Sequence, residues 1–480
     1  MKNKFKIIIT LSVLGVVFSL SSCNVSKVSE PKLGNNLLPK AYDNDNEKDS
    51  MNIKLPKWAD FYKDPDLISL IDSALYDNFD VLIATENIKK SQALAKQAHG
   101  ALLPNLNFVA GAGINRFGQY TMDGAGNAGT PIYKDKNIPK NLPDYLVGLQ
   151  TSWEIDVFGK LKNQKKSAIA RLLGSVEYKN VVITNLVAEI ANNYYELLAL
   201  DLSIDILDKN IKIQEDALEL IRIMKQAAKS NELAVKQFEA QVNNIKVIKY
   251  YQLQQITETE NRLNILVGRY PQHIRRNKNY LKNSPDKLIL GIPTDLLSNR
   301  PDVKMAEYEL LASKADLAAA KASFYPSLSI SGTVGYQAFL PSLLFSPKSI
   351  IFGLLGNLTA PLLNRASIKA SFQNANASQN EALFNYQKTI LNSYVEVYNE
   401  MKRINNLENI YLLKDDEVKK LTAAIDISND LFKYGRANYL EVLVVQQNVL
   451  QANLDLISAK KEQFQSVVNI YKALGGGWIQ

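Results

Sequence analysis

The stretch YLVGLQTSWEIDVFGK, residues 145–160, carries the strongest structural signal in this sequence. Mainly apolar side chains at every second position alternate with polar or small ones, which is the two-residue period of a β-strand. Such a strand fits either a half-buried sheet in a soluble sandwich or a barrel strand with lipid outside and water inside. The first face consists of Tyr145, Val147, Leu149, Thr151, Trp153, Ile155 and Val157, and the second of Leu146, Gly148, Gln150, Ser152, Glu154 and Asp156.

A very long helix is predicted directly after this strand. From Lys160 to about Ala228 the chain has no proline, and apolar residues recur at steps of three, four or seven. Roughly 68 residues at about 1.5 Å each make a rod on the order of 100 Å long. The continuous apolar seam indicates coiled-coil-like packing against partner helices.

The same unit occurs a second time. Asn231–Val235 matches Asn438–Val442, and Leu266–Gly268 matches Ala473–Gly475, both at an offset of 207 residues. Two matches at one offset indicate a repeat. Each copy is predicted as helix, strand, loop, strand, long helix, turn and long helix, and the loop of the first copy, 118–143, is extended and rich in Gly, Asn, Asp, Lys and Pro.

The two copies supply four strands, which by themselves favour the soluble interpretation. Four strands are too few to close a barrel, and open sheet edges are not tolerated in hydrocarbon. A membrane location would therefore require several chains to share one barrel.

The first residues have the three parts of an export signal. Three lysines within the first six residues precede an apolar run, 7–20, and LSSC, residues 20–23, follows. The pattern resembles a bacterial lipoprotein signal, in which the cysteine is acylated, and this resemblance implies a lipid anchor at Cys23. An uncleaved inner-membrane helix is the alternative, but about 14 apolar residues are fewer than the roughly 20 that span a bilayer.

The composition includes few residues that could form a catalytic or metal-binding site. One cysteine and two histidines among 480 residues exclude a disulfide scaffold and a zinc or haem site of several ligands. The formal charge of +8 is spread along the chain, so we expect no nucleic-acid partner. No Walker-type or dinucleotide string is present, and neither His99 nor His273 has a catalytic pattern beside it. We expect no cofactor, no metal, no catalytic residue and no enzyme activity.

Together, these features resemble the TolC-like outer-membrane efflux proteins, specifically the lipoprotein branch that works with RND-type pumps. The resemblance runs from the signal to the end of the chain. The strings that agree with this family are WADFYKDPDLISL at 58–70, WEIDVFGK at 153–160, LLSNRPDV at 296–303 and ALGGGW at 473–478. Within them, RPD at 300–302 is the most specific to the family, although Pro301 and Asp302 are also favoured in the first turn of any helix.

The resemblance implies a mainly α-helical chain with a membrane β-barrel part. Three copies would form a homotrimer with a twelve-stranded barrel in the outer membrane, continuous with a periplasmic α-helical barrel. The implied function is passive conduction of substrates from a periplasmic adaptor and an inner-membrane RND-type pump to the exterior. Its implied location is the outer membrane, with lipid as a further partner, and the sequence does not name the cargo.

Under this interpretation the chain divides into six segments. These are a signal peptide at 1–22; a lipid-anchored strap at 23–65; a first repeat at 66–268 with strands near 104–117 and 145–157 and long helices at 160–228 and 231–268; an equatorial connection at 269–300; a second repeat at 301–474 with strands near 326–340 and 349–361 and long helices at 365–433 and 438–474; and a tail at 475–480.

The resemblance also implies a gate just after the second turn between long helices, where relatives carry acidic rings. By position, Glu441 falls on the first acidic site, while Val444 stands where an aspartate is often found. We expect a ring of three glutamates flanked by apolar rings of Leu440 and Val444, so closure would rest partly on dewetting. The alternative role for Glu441 is that of a solvated helix residue.

The turns themselves are the implied contact with the adaptor, through Ala228, Asn231, Gly435 and Arg436. Gly435 suits a tight turn because glycine tolerates positive φ. Arg436 could instead complement the C-terminal end of the preceding helix dipole.

A different class of protein also fits the helical rods, namely an exported scaffold or a periplasmic adaptor without a pore. Adaptors usually carry one hairpin rather than a duplicated pair, which favours the channel.

Overall fold

A computed structural model describes residues 55–133, 136–285, 293–361 and 366–479, together with Pro39. The predicted signal peptide at 1–22, the lipidation residue Cys23 and the part of the strap before residue 55 other than Pro39 lie outside the described residues. None of the helices in the described ranges is both long enough and apolar enough to cross a membrane.

Helices dominate the described chain, and four of them are long. The long helices differ from the predicted spans by no more than two residues at either end. In chain order the α-helices are α1 (Trp58–Phe61), α2 (Pro65–Asp77), α3 (Phe79–Gly100), α4 (Met122–Gly129), α5 (Lys160–Gln226), α6 (Glu232–Val267), α7 (Asp295–Asn299), α8 (Pro301–Ala322), α9 (Ala366–Lys433) and α10 (Tyr439–Ala473), with short 3-10 turns at Lys278–Lys282, Pro341–Leu343 and Pro347–Ser349.

The helix expected before the first strand is interrupted at Asn78, which separates α2 from α3. The Asn78 carboxamide oxygen accepts hydrogen bonds from the backbone N–H groups of Asp80 at 2.9 Å and Val81 at 3.1 Å. Its amide nitrogen donates to the carbonyl oxygen of Leu266 at 2.8 Å. Asn78 therefore caps α3 and ties it to the end of α6, so the break is held by a contact distant in sequence.

The strands form a four-stranded antiparallel sheet in the order β1-β4-β5-β6. The long loop of the first copy is not structureless, because it contains α4 and a separate two-stranded sheet, β2-β3. The strands are β1 (Asn105–Asn115), β2 (Pro131–Tyr133), β3 (Lys136–Asn137), β4 (Leu142–Ile155), β5 (Ser327–Ala338) and β6 (Ile350–Thr359).

The register places the predominantly apolar face of each of the four strands on the same side of the sheet. In a single row across the sheet, Phe108 pairs with Leu149, Leu149 with Val334, and Val334 with Phe352. All four side chains are at least 42% exposed in the single chain. The apolar faces predicted separately for the two copies therefore form one continuous exposed surface.

The contacts divide the chain into two compact units, and each unit contains segments from both predicted repeats. Among the described residues, the first comprises 90–133, 136–172, 308–361 and 366–383 and contains all the strands. The second comprises 55–89, 173–285, 293–307 and 384–479 and is built from helices. The core of this helical unit includes the fully buried side chains of Ile71, Ile190, Tyr194, Leu197, Leu198 and Leu263.

The RPD string at 300–302 has a structural role in the helical unit. Arg300 donates hydrogen bonds to the carboxylate of Asp302 at 3.0 and 2.7 Å, to Glu396 at 2.8 Å and to the carbonyl oxygen of Ala473 at 2.7 Å. Burial alone would lower the pKa of the Arg300 guanidinium, but the two carboxylates raise it above its ordinary value. Pro301 opens α8, where its missing N–H costs nothing. The string thus joins α8 to α9 and to the end of α10.

Candidate functional site

The first turn between long helices lies between the ends of α5 and α6. Ala228 has a left-handed backbone with φ of 58°. The N–H of Ala228 donates to the Lys225 carbonyl at 3.0 Å, and the N–H of Lys229 donates to the Met224 carbonyl at 2.8 Å. These two bonds satisfy the last carbonyl groups of α5, as in a Schellman C-cap.

The second turn, between α9 and α10, repeats this arrangement. Gly435 has φ of 70° and donates to the Phe432 carbonyl at 3.0 Å, and Arg436 donates to the Leu431 carbonyl at 2.8 Å. Each of these residues stands 207 positions after its counterpart in the first turn, which is the offset of the repeat. The repeat therefore extends to the backbone hydrogen bonds of the turns.

An asparagine caps the helix that follows each turn. The Asn231 side chain accepts a hydrogen bond from the N–H of Ala234 at 3.0 Å. The Asn438 side chain accepts from Leu440 at 2.9 Å and from Glu441 at 3.0 Å. Ala228, Asn231, Gly435 and Arg436, the residues predicted to contact an adaptor, are all exposed in the single chain.

Glu441 belongs to a capping box that the sequence analysis overlooked. Its carboxylate accepts a hydrogen bond from the backbone N–H of Asn438 at 3.3 Å, while Asn438 accepts from Glu441 in return. The signal was present in the sequence, because Asn followed three positions later by Glu is a recognised N-terminal pattern. Glu441 thus has a structural contact whether or not it also acts at a gate.

The three predicted gate residues lie on one exposed face of α10. Leu440 is 47% exposed and Val444 is 43% exposed, and Glu441 between them is exposed as well. The intervening Val442 and Leu443 are buried on the opposite side of the helix. A single chain therefore presents two apolar side chains and one carboxylate side by side.

A charged network, which the sequence analysis did not identify, joins α5 to α6 beside the first turn. Lys225 forms a short ion pair with Glu232, and Arg222 pairs with Glu239 at 2.9 Å. Lys236 on α6 lies 2.9 Å from Glu239 and 3.7 Å from Glu232. The hydrogen bond from Lys225 lowers the pKa of Glu232, and that from Arg222 lowers the pKa of Glu239.

At three positions of this network the second turn has apolar or aromatic residues where the first has charged ones. At the offset of 207, Lys225 corresponds to Phe432, Glu232 to Tyr439 and Lys236 to Leu443. Phe432, Tyr439 and Leu443 pack in the apolar core that includes Phe238 and Val242. Residues beside both turns therefore pack into one apolar core, and the first turn carries exposed ion pairs in addition.

A layer of four amide side chains, three of them buried, lies farther along the same helices. Gln214 on α5 donates to Gln446 on α10 at 2.8 Å, and Gln447 donates to Gln241 on α6 at 2.8 Å. Gln214 is fully buried, and Gln446 and Gln241 are less than 9% exposed. Buried polar pairs of this kind fix the register between helices, since a slip would leave the amides unpaired.

No group of three or more potential metal-ligating side chains occurs in the part of the chain that the structure describes. His273 Nδ1 lies 2.9 Å from a carboxylate oxygen of Glu260, and Glu260 is also paired with Arg276, so this histidine lies beside an ion pair.

The chain is similar to named transport proteins along most of its length. It is 27% identical over 439 residues, 91% of each chain, to the solvent efflux pump outer membrane protein SrpC of Pseudomonas putida. It is 28% identical over 427 residues, 88% of this chain and 87% of the other, to the pyoverdine export outer membrane protein OpmQ of Pseudomonas aeruginosa.

Among solved structures, the outer-membrane channel OprN superposes with a TM-score of 0.81 at 23% identity, covering 90% of this chain and 95% of OprN. This likeness confirms the predicted TolC-like fold. The family described as outer membrane efflux protein matches residues 70–269 and 292–476. Because these ranges include both copies of the repeat, the chain belongs to the outer membrane efflux protein family.

Proposed function

We propose that this chain is the outer-membrane channel of a tripartite efflux system. It conducts substrates passively from a periplasmic adaptor and an inner-membrane RND-type pump to the exterior. Family membership supports the efflux role, and the named relatives SrpC and OpmQ are both outer membrane proteins of export systems. The relatives' names give solvents for one and pyoverdine for the other, so the family does not select a cargo.

The observation that carries this proposal is the exposed apolar face of the sheet. Phe108, Leu149, Val334 and Phe352 form one row of it, and Leu106 and Leu354 lie in a neighbouring row. The opposite face carries mostly asparagine, serine, threonine and glycine. A sheet with one face suited to hydrocarbon and one suited to water fits the wall of an aqueous channel.

The two open edges of this sheet support assembly of several copies, for which we propose a homotrimer. In the described sheet, β1 and β6 each have a neighbour on one side only. Backbone groups at an open edge find no water in a bilayer, so the edges must pair with other strands. Three chains joined edge to edge supply twelve strands, an even number as in other outer-membrane barrels.

The gate and the adaptor contact are assigned to the turns of the helical unit. Rings of Leu440 and Val444 with a ring of Glu441 would narrow the entrance, and their shared exposed face supports this arrangement. Two apolar rings oppose the passage of water by dewetting, and three carboxylates add negative charge. The exposed turn residues Ala228, Asn231, Gly435 and Arg436 would meet the adaptor.

Lipidation at Cys23 would hold the N-terminus at the membrane, in addition to insertion of the strands. The chain acts as a conduit and not as an enzyme, since the pump supplies the energy.

The test is extraction of the full-length protein from outer membranes, followed by mass measurement and reconstitution into planar bilayers. We expect a trimer that needs detergent and that conducts ions. A trimer that gives no conductance would favour the alternative of an exported scaffold without a pore. A monomer that stays in solution without detergent would overturn the channel altogether.

A further inference from the structure

The four strands of the main sheet carry very little charge. Asp144 and Glu154, both on β4, are the only charged side chains in β1, β4, β5 and β6. These strands contain no lysine, arginine or histidine. Any fixed charge on the strands is therefore negative.

Both acids lie on the polar face. Glu154 pairs with Ser329 and Ser152 with Ser331 across β4 and β5, and the alternation along β4 puts Asp144 on the same face. A side-chain contact agrees with this placement, because the Gln337 amide nitrogen on β5 donates to the Asp144 carboxylate at 2.8 Å. The two acids stand at opposite ends of the strand.

The charge of Glu154 is compensated locally. Lys160, at the start of α5, lies 3.0 Å from the Glu154 carboxylate. Asp144 has no such partner, since it forms no ion pair with any residue in the described ranges, including Arg116 and Lys140 of the adjoining connection. Its bond from Gln337 is to a neutral amide, which orients the carboxylate without cancelling its charge.

The space beside Asp144 is open. Its partner on β1 is Gly113, so no side chain stands opposite the carboxylate on that strand. A Cβ built at Gly113 would meet nothing within 4 Å. A solute passing along the polar face can therefore approach the carboxylate directly.

We propose that Asp144, held by Gln337, is the residue that sets the charge selectivity of the strand-lined part of the channel, favouring cationic over anionic solutes. This inference rests on the proposed function, which makes the polar face the channel wall. In a trimer, three carboxylates surround the passage near the strand ends that join 116–141. A ring of carboxylates concentrates cations and repels anions, because it lies beside low-dielectric walls.

The experiment measures the K⁺ to Cl⁻ permeability ratio from reversal potentials of purified trimers in planar bilayers under a KCl gradient. Wild type is expected to prefer K⁺, and Asp144→Asn should bring the ratio to about one. Gly113→Lys leaves Asp144 in place and adds an amine opposite it, so it should also lower the ratio. Gln337→Leu should lower it less, because the charge remains but loses its fixed position.

Two control variants separate the possible sources of selectivity. Asp123→Asn removes an exposed acid from α4, outside the four strands, and should leave the ratio unchanged. Glu441→Gln removes the proposed gate charge. If wild type conducts and both Asp144→Asn and Gly113→Lys keep the wild-type K⁺ to Cl⁻ permeability ratio, the inference is wrong. This holds whether or not Glu441→Gln abolishes selectivity. If wild type forms no channel at all, the proposed function itself fails.

Discussion

Ala228 and Gly435 occupy the same place in the two turns between long helices, and both adopt the left-handed backbone conformation, with φ of 58° and 70°. Each donates its N–H to a carbonyl three residues earlier at 3.0 Å. The same geometry thus occurs once with alanine and once with glycine. Only the alanine carries a Cβ in a conformation that L-residues disfavour.

Ala228→Gly should therefore stabilise the first turn, by about 1 kcal/mol at most, because glycine removes the left-handed strain but gains freedom in the unfolded chain. Gly435→Ala should destabilise the second turn by a similar amount. Urea unfolding of the protein in detergent, followed by circular dichroism, measures both changes. A loss of stability in Ala228→Gly would show that the Ala228 side chain makes a contact worth more than the strain.

Arg300 is expected to be one of the most sensitive positions in the helical unit. Its side chain is 11% exposed and joins Asp302, Glu396 and the Ala473 carbonyl. Arg300→Leu leaves two carboxylates and a buried carbonyl without their donor, so we expect a loss of about 2–3 kcal/mol in the free energy of unfolding.

Lys420→Leu is the control for this change. The Lys420 side chain is 75% exposed, and its ion-pair partner Asp416, one turn earlier in α9, is 56% exposed. An exposed pair of this kind contributes little, so the loss should stay below about 0.5 kcal/mol. Equal losses in the two variants would contradict the assignment of Arg300 as the joint between α8, α9 and α10.

The features that the sequence predicted well are those with a local period. The alternation in residues 145–157 identifies the strand and its apolar face, because successive side chains of any β-strand point to opposite sides. The absence of proline between Lys160 and Ala228 identifies the long helix in the same way. Neither inference depends on distant residues.

Most features that the sequence missed depend on contacts between residues distant in the chain, and the capping box of Asn438 and Glu441 is the local exception. The break at Asn78 is held by the carbonyl of Leu266, which no local window contains. The ion pairs of Lys225 and Arg222 need α6 to fold back beside α5. The gate stays a prediction for a related reason, since its ring would be made by Glu441 of three chains.

Glu400 is expected to make stability depend on pH. Burial raises the pKa of its carboxyl group above the ordinary 4.5, the nearby Arg403 lowers it and Glu396 raises it further, with a net increase. One carboxylate oxygen of Glu400 has no hydrogen-bond partner in the described structure. Between pH 4.5 and the raised value the folded chain binds more protons than the unfolded one, so stability falls as pH rises.

Glu400→Gln removes this dependence and should be more stable than wild type at neutral pH, with the difference shrinking as pH falls through the raised pKa. Unfolding midpoints measured from pH 4 to 8 check this, and Glu258→Gln, an exposed position on α6, serves as the control. A Glu400→Gln difference that stays constant over that range would show that the carboxyl group does not titrate there.

Cys23→Ala tests whether the lipid anchor and the strands attach the protein to the outer membrane independently of each other. We expect mass spectrometry to find an acyl mass on wild type and none on the variant, yet the variant should still sediment with outer membranes and form trimers. The reason is that insertion rests on the apolar face of the sheet, and a lipid chain adds an independent attachment. Complete loss of folded protein in Cys23→Ala would show that lipidation is required for assembly.

Glu441 has two separable roles, as a cap of α10 and as the proposed gate charge. Glu441→Gln keeps an oxygen that accepts from the N–H of Asn438 but loses the charge. Asn438→Ala keeps the charge but removes the side chain that accepts from Leu440 and Glu441, at a cost of about 1 kcal/mol. The two variants therefore divide the roles between them.

We expect Glu441→Gln to alter single-channel closure or cation preference in planar bilayers while its unfolding midpoint stays near that of wild type. Asn438→Ala should instead lower the midpoint and leave the cation preference of the open channel unchanged. If Glu441→Gln conducts like wild type at every pH, Glu441 is a capping residue only. Closure would then be assigned to the apolar rings of Leu440 and Val444, whose replacement by serine should weaken it because polar side chains oppose dewetting.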